Sequence, residues 1–525
     1  MKTLIFVFSL FMATSLFSQN QNLSQEFVFE GEPYLSINPE NSDHLVVAWL
    51  GWVNLQQLFK IHIITSFDGG TTWSEAYEVD HTVDGYSSPD PCIQFNHLGE
   101  VFVSFIDFTG TEPPVTGGVY LVKSKDGGLT WGDPLEVITT DFDGEKWPID
   151  RPWMEIDRSD SPTQGNIYVT TFNLNRLNPP FNPYLSVSTD NGESFTSKII
   201  DAEGWLAGSI NPLPLCFPAI SSDGVFYGSY PSLVFGQNLF VQSFLAVSDD
   251  AGESIEYKNI ITFNPPSNLG DFPLAKKASI LLCNPADANH IAHIYLSAVT
   301  GDLDVYLIES FDAGDSWTEP LRVNDDPIEN DVLQDLIWGD FDSDGDLVIS
   351  WRDRRNGTAG TFESATEIWA SFRENGSNSF ESNFQISSET VAYDEILENA
   401  GNDFMCVKLQ EDIIHTTWGD TRDGALNIWY QKLTTDGTIV STHQISSKAL
   451  PKIDIYPNPV ASECLIKSDG IKRIELHDQS GKLIMVKKYD SHSNEVKIDL
   501  ASLPSGTYFI HVETIFANFI EKINK

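Results

Sequence analysis

Short apolar runs with period-two alternation recur through most of the chain and are separated by polar turns. Each unit opens with a strand near a proline, continues with a β-rich strand ending on an aromatic residue, and closes with a strand leading into a glycine-containing turn. This pattern predicts strands rather than helices, so the chain is predicted to be all-β. The opening prolines follow Glu32, Asp90, Arg151 and Phe217, and the aromatic-ended strands include LVVAW, VFVSF, IYVTTF and VFYGSY.

The turns share the frame Ser-x-Asp-x-Gly-x-x-aromatic, with Ile255 as one aliphatic exception. The Asp carboxylate can accept backbone N–H groups of its own turn, Gly adopts a backbone conformation that other residues resist, and the final ring packs inward. Successive serines lie 58, 64, 60 and 62 residues apart, a period that suits four-stranded propeller blades. The copies are SFDGGTTW from Ser66, SKDGGLTW from Ser124, STDNGESF from Ser188, SDDAGESI from Ser248 and SFDAGDSW from Ser310.

These turns resemble the Asp box, or BNR repeat, of the sialidase superfamily. The resemblance implies a β-propeller in which each box lies between the third and fourth strands of a blade. Two further units lack a clean box, but their turn glycines, Gly376 and Gly437, continue the spacing. We therefore favour seven blades, with six as the alternative because sialidases have six. The segment Glu26 to Glu30 is a candidate strand to close the ring against the last blade.

Both ends of the chain carry export signals. Residues 1–19 hold Lys2, an apolar run and a polar exit, which is the plan of a secretory signal peptide. The predicted propeller occupies residues 20–447. Residues 448–525 resemble the C-terminal sorting domain of the type IX secretion system of Bacteroidota, which implies a small antiparallel β-sandwich, a partnership with that secretion machinery, and a secreted or cell-surface location. The resemblance rests on Tyr456-Pro457-Asn458-Pro459, the Gly481-Lys482 turn and Leu503-Pro504-Ser505-Gly506-Thr507-Tyr508. The alternative for this tail is an accessory glycan-binding sandwich.

Charge and cysteine content narrow the function classes. The net charge of -44 argues against nucleic acid and anionic membranes as partners, because both need clustered Lys and Arg. No run after the signal peptide is apolar for long enough to predict a membrane-spanning segment in the mature chain. The five cysteines have no metal-site spacing, so we interpret them as buried thiols, with a Cys216 to Cys283 disulfide as the alternative.

A candidate calcium loop follows the strand DLIWGDF. Its carboxylates alternate with other residues around a glycine, as in the first half of an EF-hand loop, and hard oxygen ligands suit Ca²⁺. No bidentate Glu follows at the expected offset, so the alternative is a hairpin turn that uses Asp and Gly for local hydrogen bonds. The predicted ligands are Asp340, Asp342, Asp344 and Asp346.

Arginines gather in two equivalent loops of consecutive units, Trp351 to Gly357 and Trp418 to Gly424. Guanidinium groups bind carboxylates through paired hydrogen bonds, so an acidic sugar is the predicted ligand. The alternative is that these arginines form ion pairs with the aspartates of the same loops. The predicted substrate-binding residues are Arg151, Arg352, Arg354 and Arg422.

The sialidase resemblance implies an arginine triad, a Tyr nucleophile assisted by Glu, and an Asp acid. Asp353, Asp420 and Tyr430 are the candidate catalytic residues in this chain. The chain departs from the sialidase pattern because no arginine precedes Arg151, and Glu32-Pro33-Tyr34 stands where relatives have Arg-Ile-Pro.

The predicted function is that of a secreted, sialidase-like propeller that acts on or binds extracellular acidic glycans. If active, it would be a glycoside hydrolase of the exo-sialidase type. The first alternative is a non-catalytic propeller that binds glycan or protein at the surface. The second is a polysaccharide lyase with His293 or His415 as base beside an arginine.

Overall fold

The computed structural model describes most of the chain in a series of ranges. The predicted signal peptide lies outside them. Within the described residues, no helix has the length and apolarity needed to cross a bilayer. The ranges are 20–24, 29–52, 58–142, 144–174, 182–207, 216–234, 236–237, 242–262, 279–358, 360–398, 401–440, 454–460, 462–478, 482–514 and 518–525.

The chain divides into two compact units, Met1–Ser441 and Thr442–Lys525. In the first unit, helix is limited to a 3-10 turn, Thr140–Phe142, and one short helix, Glu395–Glu398, among the described residues. Its strands are β1 (Gln21–Asn22), β2 (Glu30–Asn38), β3 (Asn41–Trp52), β4 (Phe59–Ser66), β5 (Tyr77–Glu78), β6 (Cys92–Phe95), β7 (Val101–Phe108), β8 (Gly117–Ser124), β9 (Leu135–Thr139), β10 (Ile149–Ile156), β11 (Ile167–Asn173), β12 (Pro183–Ser188), β13 (Thr196–Ile199), β14 (Phe217–Ile220), β15 (Phe226–Ser232), β16 (Gln242–Ser248), β17 (Glu256–Thr262), β18 (Ser279–Cys283), β19 (Ile291–Ser297), β20 (Asp304–Ser310), β21 (Leu321–Arg322), β22 (Asp335–Phe341), β23 (Leu347–Asp353), β24 (Glu367–Arg373), β25 (Phe384–Gln385), β26 (Cys406–Gln410), β27 (Ile413–Asp420) and β28 (Asn427–Thr434).

These strands form a β-propeller. Among the described residues, seven antiparallel four-stranded sheets follow one another, beginning with β2-β3-β4-β5 and ending with β26-β27-β28, to which β1 is added as the outer strand. The first strand of each sheet contacts the first strand of the next, and β26 contacts β2. The predicted all-β propeller is confirmed, whereas the blade count, predicted as seven with six as the alternative, stays a prediction.

The N-terminal segment closes the last sheet, but not with the residues that the sequence indicated. Gln21 and Asn22 pair with Tyr430 and Trp429. The predicted closing segment, Glu26 to Glu30, lies partly outside the described residues, and its last residue begins β2 of the first sheet. The pairing residues therefore lie earlier in the chain than predicted.

Each Ser-x-Asp-x-Gly turn begins where a third strand ends, as predicted. In the first copy, the Asp68 carboxylate accepts the backbone N–H of Thr72 at 2.8 Å, and the Ser66 hydroxyl accepts the N–H of Gly70 at 2.9 Å. The other four copies repeat both bonds. A Cβ built on Gly70 would lie 2.1 Å from the Tyr430 hydroxyl of the neighbouring sheet, so each turn also fits against its neighbour.

The second unit has its own apolar core. Its strands form one antiparallel sheet with the order β29-β30-β32-β33, and β31 pairs with β30. Ile474, Leu476 and Ile510 are fully buried in this core. The strands are β29 (Asp454–Tyr456), β30 (Glu463–Asp478), β31 (Leu483–Asp499), β32 (Thr507–Thr514) and β33 (Asn518–Asn524).

The five cysteines are thiols. Cys283 is partly exposed, and the other four are buried. Cys216 and Cys283 are not joined, so the disulfide alternative is not adopted.

Candidate functional site

The two faces of the propeller differ in what they present. A first strand runs parallel to the third strand of its own sheet, because each sheet is an antiparallel meander. The third strands end at the Ser-x-Asp-x-Gly turns, so the first strands also end on that face, which we call the repeat face. They begin on the other face, which we call the opposite face.

Polar residues at the beginnings of the first strands meet on the opposite face. We call Glu32, Asp90, Asp150, Arg151 and Asp403 the carboxyl cluster. Glu32, Asp90 and Arg151 all have left-handed backbones, with φ of 55°, 57° and 54°. The pairing of β2 with β3 and of β10 with β11 is irregular at these positions. Bulges of this kind redirect side chains, and strained backbone is often found at functional sites.

Three carboxyl groups of the cluster are hydrogen-bonded in a row. Asp90 lies between Glu32 and Asp150 and bonds to both. Glu32 is 2% exposed, whereas Asp90 and Asp150 retain partial contact with solvent. A bound molecule could therefore reach the two aspartates from the opposite face.

The single arginine of the cluster is ion-paired. Arg151 Nη2 lies 2.8 Å from Asp403 Oδ2, and the two side chains are 13% and 17% exposed. Burial lowers the pKa of Arg151, but Asp403, Asp150 and Asp90 outweigh it and raise the pKa above its ordinary value. The guanidinium is thus a fixed positive charge among four carboxyl groups.

Burial makes two of the carboxyl groups weak acids. It raises the pKa of Asp90 well above the ordinary value, and the nearby Glu32 raises it further. Burial also raises the pKa of Asp150, with Asp90 as the next contribution and Arg151 acting against it. A protonated carboxyl beside an ionised one can donate a proton while its neighbour accepts one.

The predicted substrate-binding arginines of the first loop form buried ion pairs within the propeller. Arg352 binds Asp335 through Nε at 2.8 Å and Nη2 at 2.5 Å, and Arg354 Nη1 lies 3.0 Å from the same carboxylate. Burial would raise the pKa of Asp335, but the two guanidinium groups outweigh it and hold the pKa far below its usual range. Both arginines are at most 3% exposed.

The predicted catalytic aspartates belong to two equivalent stacks. In the first, the Trp351 indole donates to Asp353 at 2.7 Å, and Arg355 pairs with Asp353 at 2.9 Å while lying over the Trp369 ring. The same arrangement recurs in the next sheet with Trp418, Asp420, Arg422 and Trp429. The ion-pair alternative is thus the arrangement that the structure adopts for Arg355 and Arg422.

The predicted nucleophile lies near the repeat face. Tyr430 is 3% exposed, its hydroxyl bonds to His415 Nδ1 at 2.7 Å, and its ring packs against Trp73 of the first repeat. Burial raises the pKa of Tyr430 beyond its ordinary range and lowers that of His415 to about 3. His293 is likewise buried, with a pKa lowered to about 4. The structure therefore does not bring Tyr430 into the carboxyl cluster.

The carboxylates that come together at the candidate calcium loop differ from the predicted set. Asp342 and Asp346 come together with Asp412 of the next sheet, with oxygen atoms within 4.8 Å of one another. Burial, reinforced by Asp344 and Asp346, raises the pKa of Asp342 to about 7. Asp340 instead pairs with Lys408 at 3.0 Å. These residues fit a hard cation through their oxygen donors, and calcium at this loop stays a prediction.

Glu32, Asp90, Asp150 and Asp403 were not predicted as site residues. A usable signal was present, because three first strands open with a charged residue before proline: Glu32-Pro33, Asp90-Pro91 and Arg151-Pro152. Equivalent positions of a propeller converge on one axis, so these three residue–proline pairs predict a cluster of charged side chains there.

Solved structures with similar folds share little sequence with this chain. A protein of unknown function from Dyadobacter fermentans DSM 18053 is 16% identical, with a TM-score of 0.39 over 68% of this chain and 100% of that chain. An α-L-arabinanase from Penicillium chrysogenum is 13% identical, with a TM-score of 0.41 over 80% of this chain and 99% of that chain. The endosialidase of phage phi92 is 10% identical, with a TM-score of 0.44 over 96% of this chain and 79% of that chain. No curated protein sequence matches the chain.

One family model matches the C-terminal unit. Residues 454–524 match the secretion system C-terminal sorting domain, as the Tyr-Pro-Asn-Pro motif and the closing Leu-Pro-Ser-Gly-Thr-Tyr motif predicted. A chain with this domain is exported and is secreted or held at the cell surface. The C-terminal unit is therefore a type IX sorting domain.

Proposed function

We propose that the propeller binds an extracellular glycan on its opposite face and hydrolyses a glycosidic bond with the carboxyl cluster. One observation carries this proposal: two partly buried aspartates with raised pKa values are hydrogen-bonded in a row with a third carboxyl group, on the propeller axis. Perturbed carboxyl groups of this kind are typical of acid–base sites.

The roles follow from the hydrogen-bonded row. Asp90 or Asp150, in its protonated form, would donate its proton to the glycosidic oxygen as the bond from that oxygen to the sugar carbon breaks. A carboxylate of the cluster that is not hydrogen-bonded to this donor would take a proton from the attacking water, whose oxygen forms the new bond to that carbon, because the acid and the base must lie about 6.5–9.5 Å apart. The ion pair of Arg151 with Asp403 would hold the site's geometry and orient substrate hydroxyls.

The charges of the described cluster favour a neutral glycan over the acidic one that the arginine loops suggested. Four carboxyl groups surround one guanidinium, and that guanidinium already binds Asp403. An anionic sugar would add repulsion without gaining a free cation. Arg352 and Arg354, which could have offset this charge, are occupied by Asp335.

The proposal is tested with Asp90→Asn and Asp150→Asn in the exported protein. Each change removes a proton donor but keeps the side-chain volume, so we expect release of reducing sugar from a panel of neutral and acidic polysaccharides to fall at least 100-fold, in line with typical acid–base contributions. The matched control is Asp84→Asn, which changes an exposed carboxyl group of the loop that precedes Asp90. Retained thermal melting temperatures would show that the variants fold.

The pH dependence gives a second readout. Because burial raises the pKa of the acid, activity should persist toward neutral pH and fall as the pH rises through that raised pKa. Full activity in both Asn variants would refute the roles assigned to Asp90 and Asp150. Retained glycan binding without hydrolysis in the unmodified protein would support the binding-propeller alternative, and products carrying a new double bond would support the lyase.

A further inference from the structure

A cavity lies at the end of the axis opposite the carboxyl cluster. It has a volume of about 330 Å³ and is walled by the ends of first strands, including β10, β14, β18 and β22. Arg151 of the carboxyl cluster and Glu155 of this cavity stand four residues apart on β10, which corresponds to about 13 Å along a strand. The cavity therefore opens toward the repeat face.

An aromatic layer forms the floor of the cavity. The rings of Tyr34 and Trp338 meet edge to face with centroids 5.0 Å apart, and Trp153 lies 5.7 Å from Trp338 and 5.3 Å from Phe217. All four side chains are at most 5% exposed. This packed layer lies between the cavity and the carboxyl cluster, so we treat the two as separate sites.

One wall of the cavity is polar. Glu155 accepts a hydrogen bond from Gln94 Nε2 at 2.9 Å, and Lys408 donates to Asp340 at 3.0 Å. Arg158 is exposed at the rim. Burial raises the pKa of Glu155, although Arg158 and Lys408 favour its ionised form. The charges of the two carboxyl groups on this wall are thus offset by those of Lys408 and Arg158.

The facing wall is apolar and includes Ala219 and Leu282. A sugar ring has an apolar face of C–H groups and an edge of hydroxyl groups, which matches one apolar wall and one hydrogen-bonding wall. The balanced charges disfavour a phosphate, which would meet two carboxylates, and a metal ion, which would meet two cations. The volume lies at the lower end of the range for small-molecule sites, so it suits one ring rather than a long chain.

We propose that this cavity is a second binding site, which takes a single neutral sugar ring at the repeat face. Glu155 and the Lys408–Asp340 pair bind its hydroxyl groups, and Ala219 and Leu282 contact its C–H face. The site needs no activity of the carboxyl cluster, so it stands or falls separately from the proposed hydrolysis.

Cys283 provides a direct test in the unaltered protein. It lines the cavity and is the one cysteine of the five that is not buried. A neutral disulfide reagent such as dithiodipyridine should modify Cys283 slowly, because burial raises the thiol pKa well above its ordinary value. Neutral monosaccharides such as galactose, rhamnose and arabinose, each titrated separately, should slow that modification at least fivefold at saturation. Cys283→Ser identifies the reacting thiol.

Two variants separate this site from the carboxyl cluster. Glu155→Gln and Leu282→Trp should each weaken monosaccharide binding at least tenfold in saturation-transfer NMR and leave hydrolysis unchanged, whereas Asp90→Asn should leave the protection of Cys283 unchanged. The proposal is overturned if no neutral monosaccharide protects Cys283, if glucuronate or glucosamine protects it better than neutral sugars, or if Asp90→Asn alone abolishes protection.

Discussion

Two arginines, Arg355 and Arg422, are held by equivalent tryptophan and aspartate contacts in consecutive sheets. Arg355 and Arg422 each lie over a tryptophan, at 4.0 Å and 4.3 Å from the ring centroid, and each pairs with an aspartate that also accepts an indole N–H. Arg355 Nη2 also donates to Asn383 Oδ1, and Arg422 Nη1 donates to Asn20 Oδ1, so each stack stabilises the strand ends on the opposite face. Both guanidinium groups therefore contribute to packing, and substrate binding by Arg422 stays a prediction.

Glu309 gives a pH-dependent test at this scale. Burial acts to raise its pKa, but hydrogen bonds from Arg373 and His290 outweigh burial and lower the pKa to about 2. The stability from Glu309 is therefore present above its unfolded pKa, near 4.5, and lost as the pH falls toward 2. We expect Glu309→Gln to lower the free energy of unfolding by about 3 kcal/mol at pH 7. Urea unfolding at several pH values measures this difference.

The control for Glu309 is Glu319→Gln, which changes an exposed carboxyl group of the turn between β20 and β21. It should change the unfolding free energy little at any pH. A Glu309→Gln difference that stayed constant down to pH 2 would contradict the assigned pKa.

One predicted site residue lies in the carboxyl cluster, whose function stays a proposal. Arg151 was predicted to bind substrate, and it lies in the carboxyl cluster, but its partner Asp403 is 252 residues away in the chain. Asp90 and Asp150 resemble ordinary turn residues in the sequence, because burial, which raises their pKa values, depends on the packed axis. Charge clusters in loops are visible in the sequence, whereas desolvation is not.

At the scale of the element, the Ser-x-Asp-x-Gly turn joins neighbouring sheets. Its period followed from spacing, because a structural turn must recur where the backbone recurs, and its place after the third strand followed from the resemblance to the Asp box. The closing strand could not be found in the same way, since the two-residue strand β1 carries no periodic pattern. A strand this short is fixed by the unpaired edge of the last sheet, which is visible only in the folded structure.

Gly70 and Gly376 form a matched pair for the turn. Both have left-handed backbones, with φ of 82° and 78°, but a Cβ on Gly70 would lie 2.1 Å from the Tyr430 hydroxyl, and one on Gly376 would meet nothing within 4 Å. We expect both alanine variants to lose about 1 kcal/mol from backbone strain. Gly70→Ala should lose about 1–3 kcal/mol more from overpacking. Equal losses in thermal or urea unfolding would contradict the inter-sheet role.

The predicted calcium site lies at the loop around Asp342. Three carboxylates from two neighbouring sheets repel one another, and a divalent cation would relieve that repulsion. We expect millimolar calcium to raise the melting temperature of the protein and Asp412→Asn to abolish the increase. Magnesium serves as the control ion. It requires near-ideal octahedral geometry, so we expect it to bind this loop poorly. An unchanged melting temperature in calcium would refute the site.

At the scale of the whole molecule, the chain combines a propeller unit with a separate sorting unit, each with its own apolar core. The propeller core runs through consecutive sheets, and the aromatic layer of Tyr34, Trp153 and Trp338 fills the axis. Filling the axis leaves two ends that can carry different chemistry. The proposed hydrolysis uses one end, and the proposed sugar cavity uses the other.

Asn20 tests the closure of the propeller. Its side chain donates to Gln431 Oε1 at 2.6 Å and accepts from Ser388 N at 2.6 Å and Arg422 Nη1 at 2.7 Å. It thus joins the last two sheets to the N-terminal segment. We expect Asn20→Ala to lower stability by about 1–3 kcal/mol, because buried partners lose their hydrogen bonds. Asn378→Ala, an exposed change, is the control in thermal unfolding, and equal behaviour of the two would contradict the closure role.

The pairing of Gln21 with Tyr430 also sets an order of assembly. The first six sheets each draw their strands from one continuous stretch of chain, so each can form without a distant part of the chain. The last sheet needs a strand made at the very start of the propeller, and joining ends so far apart carries a large entropic cost. Strand β1 can pair only after β28 has formed, so we expect the pairing of β1 with β28 to be the final step of folding.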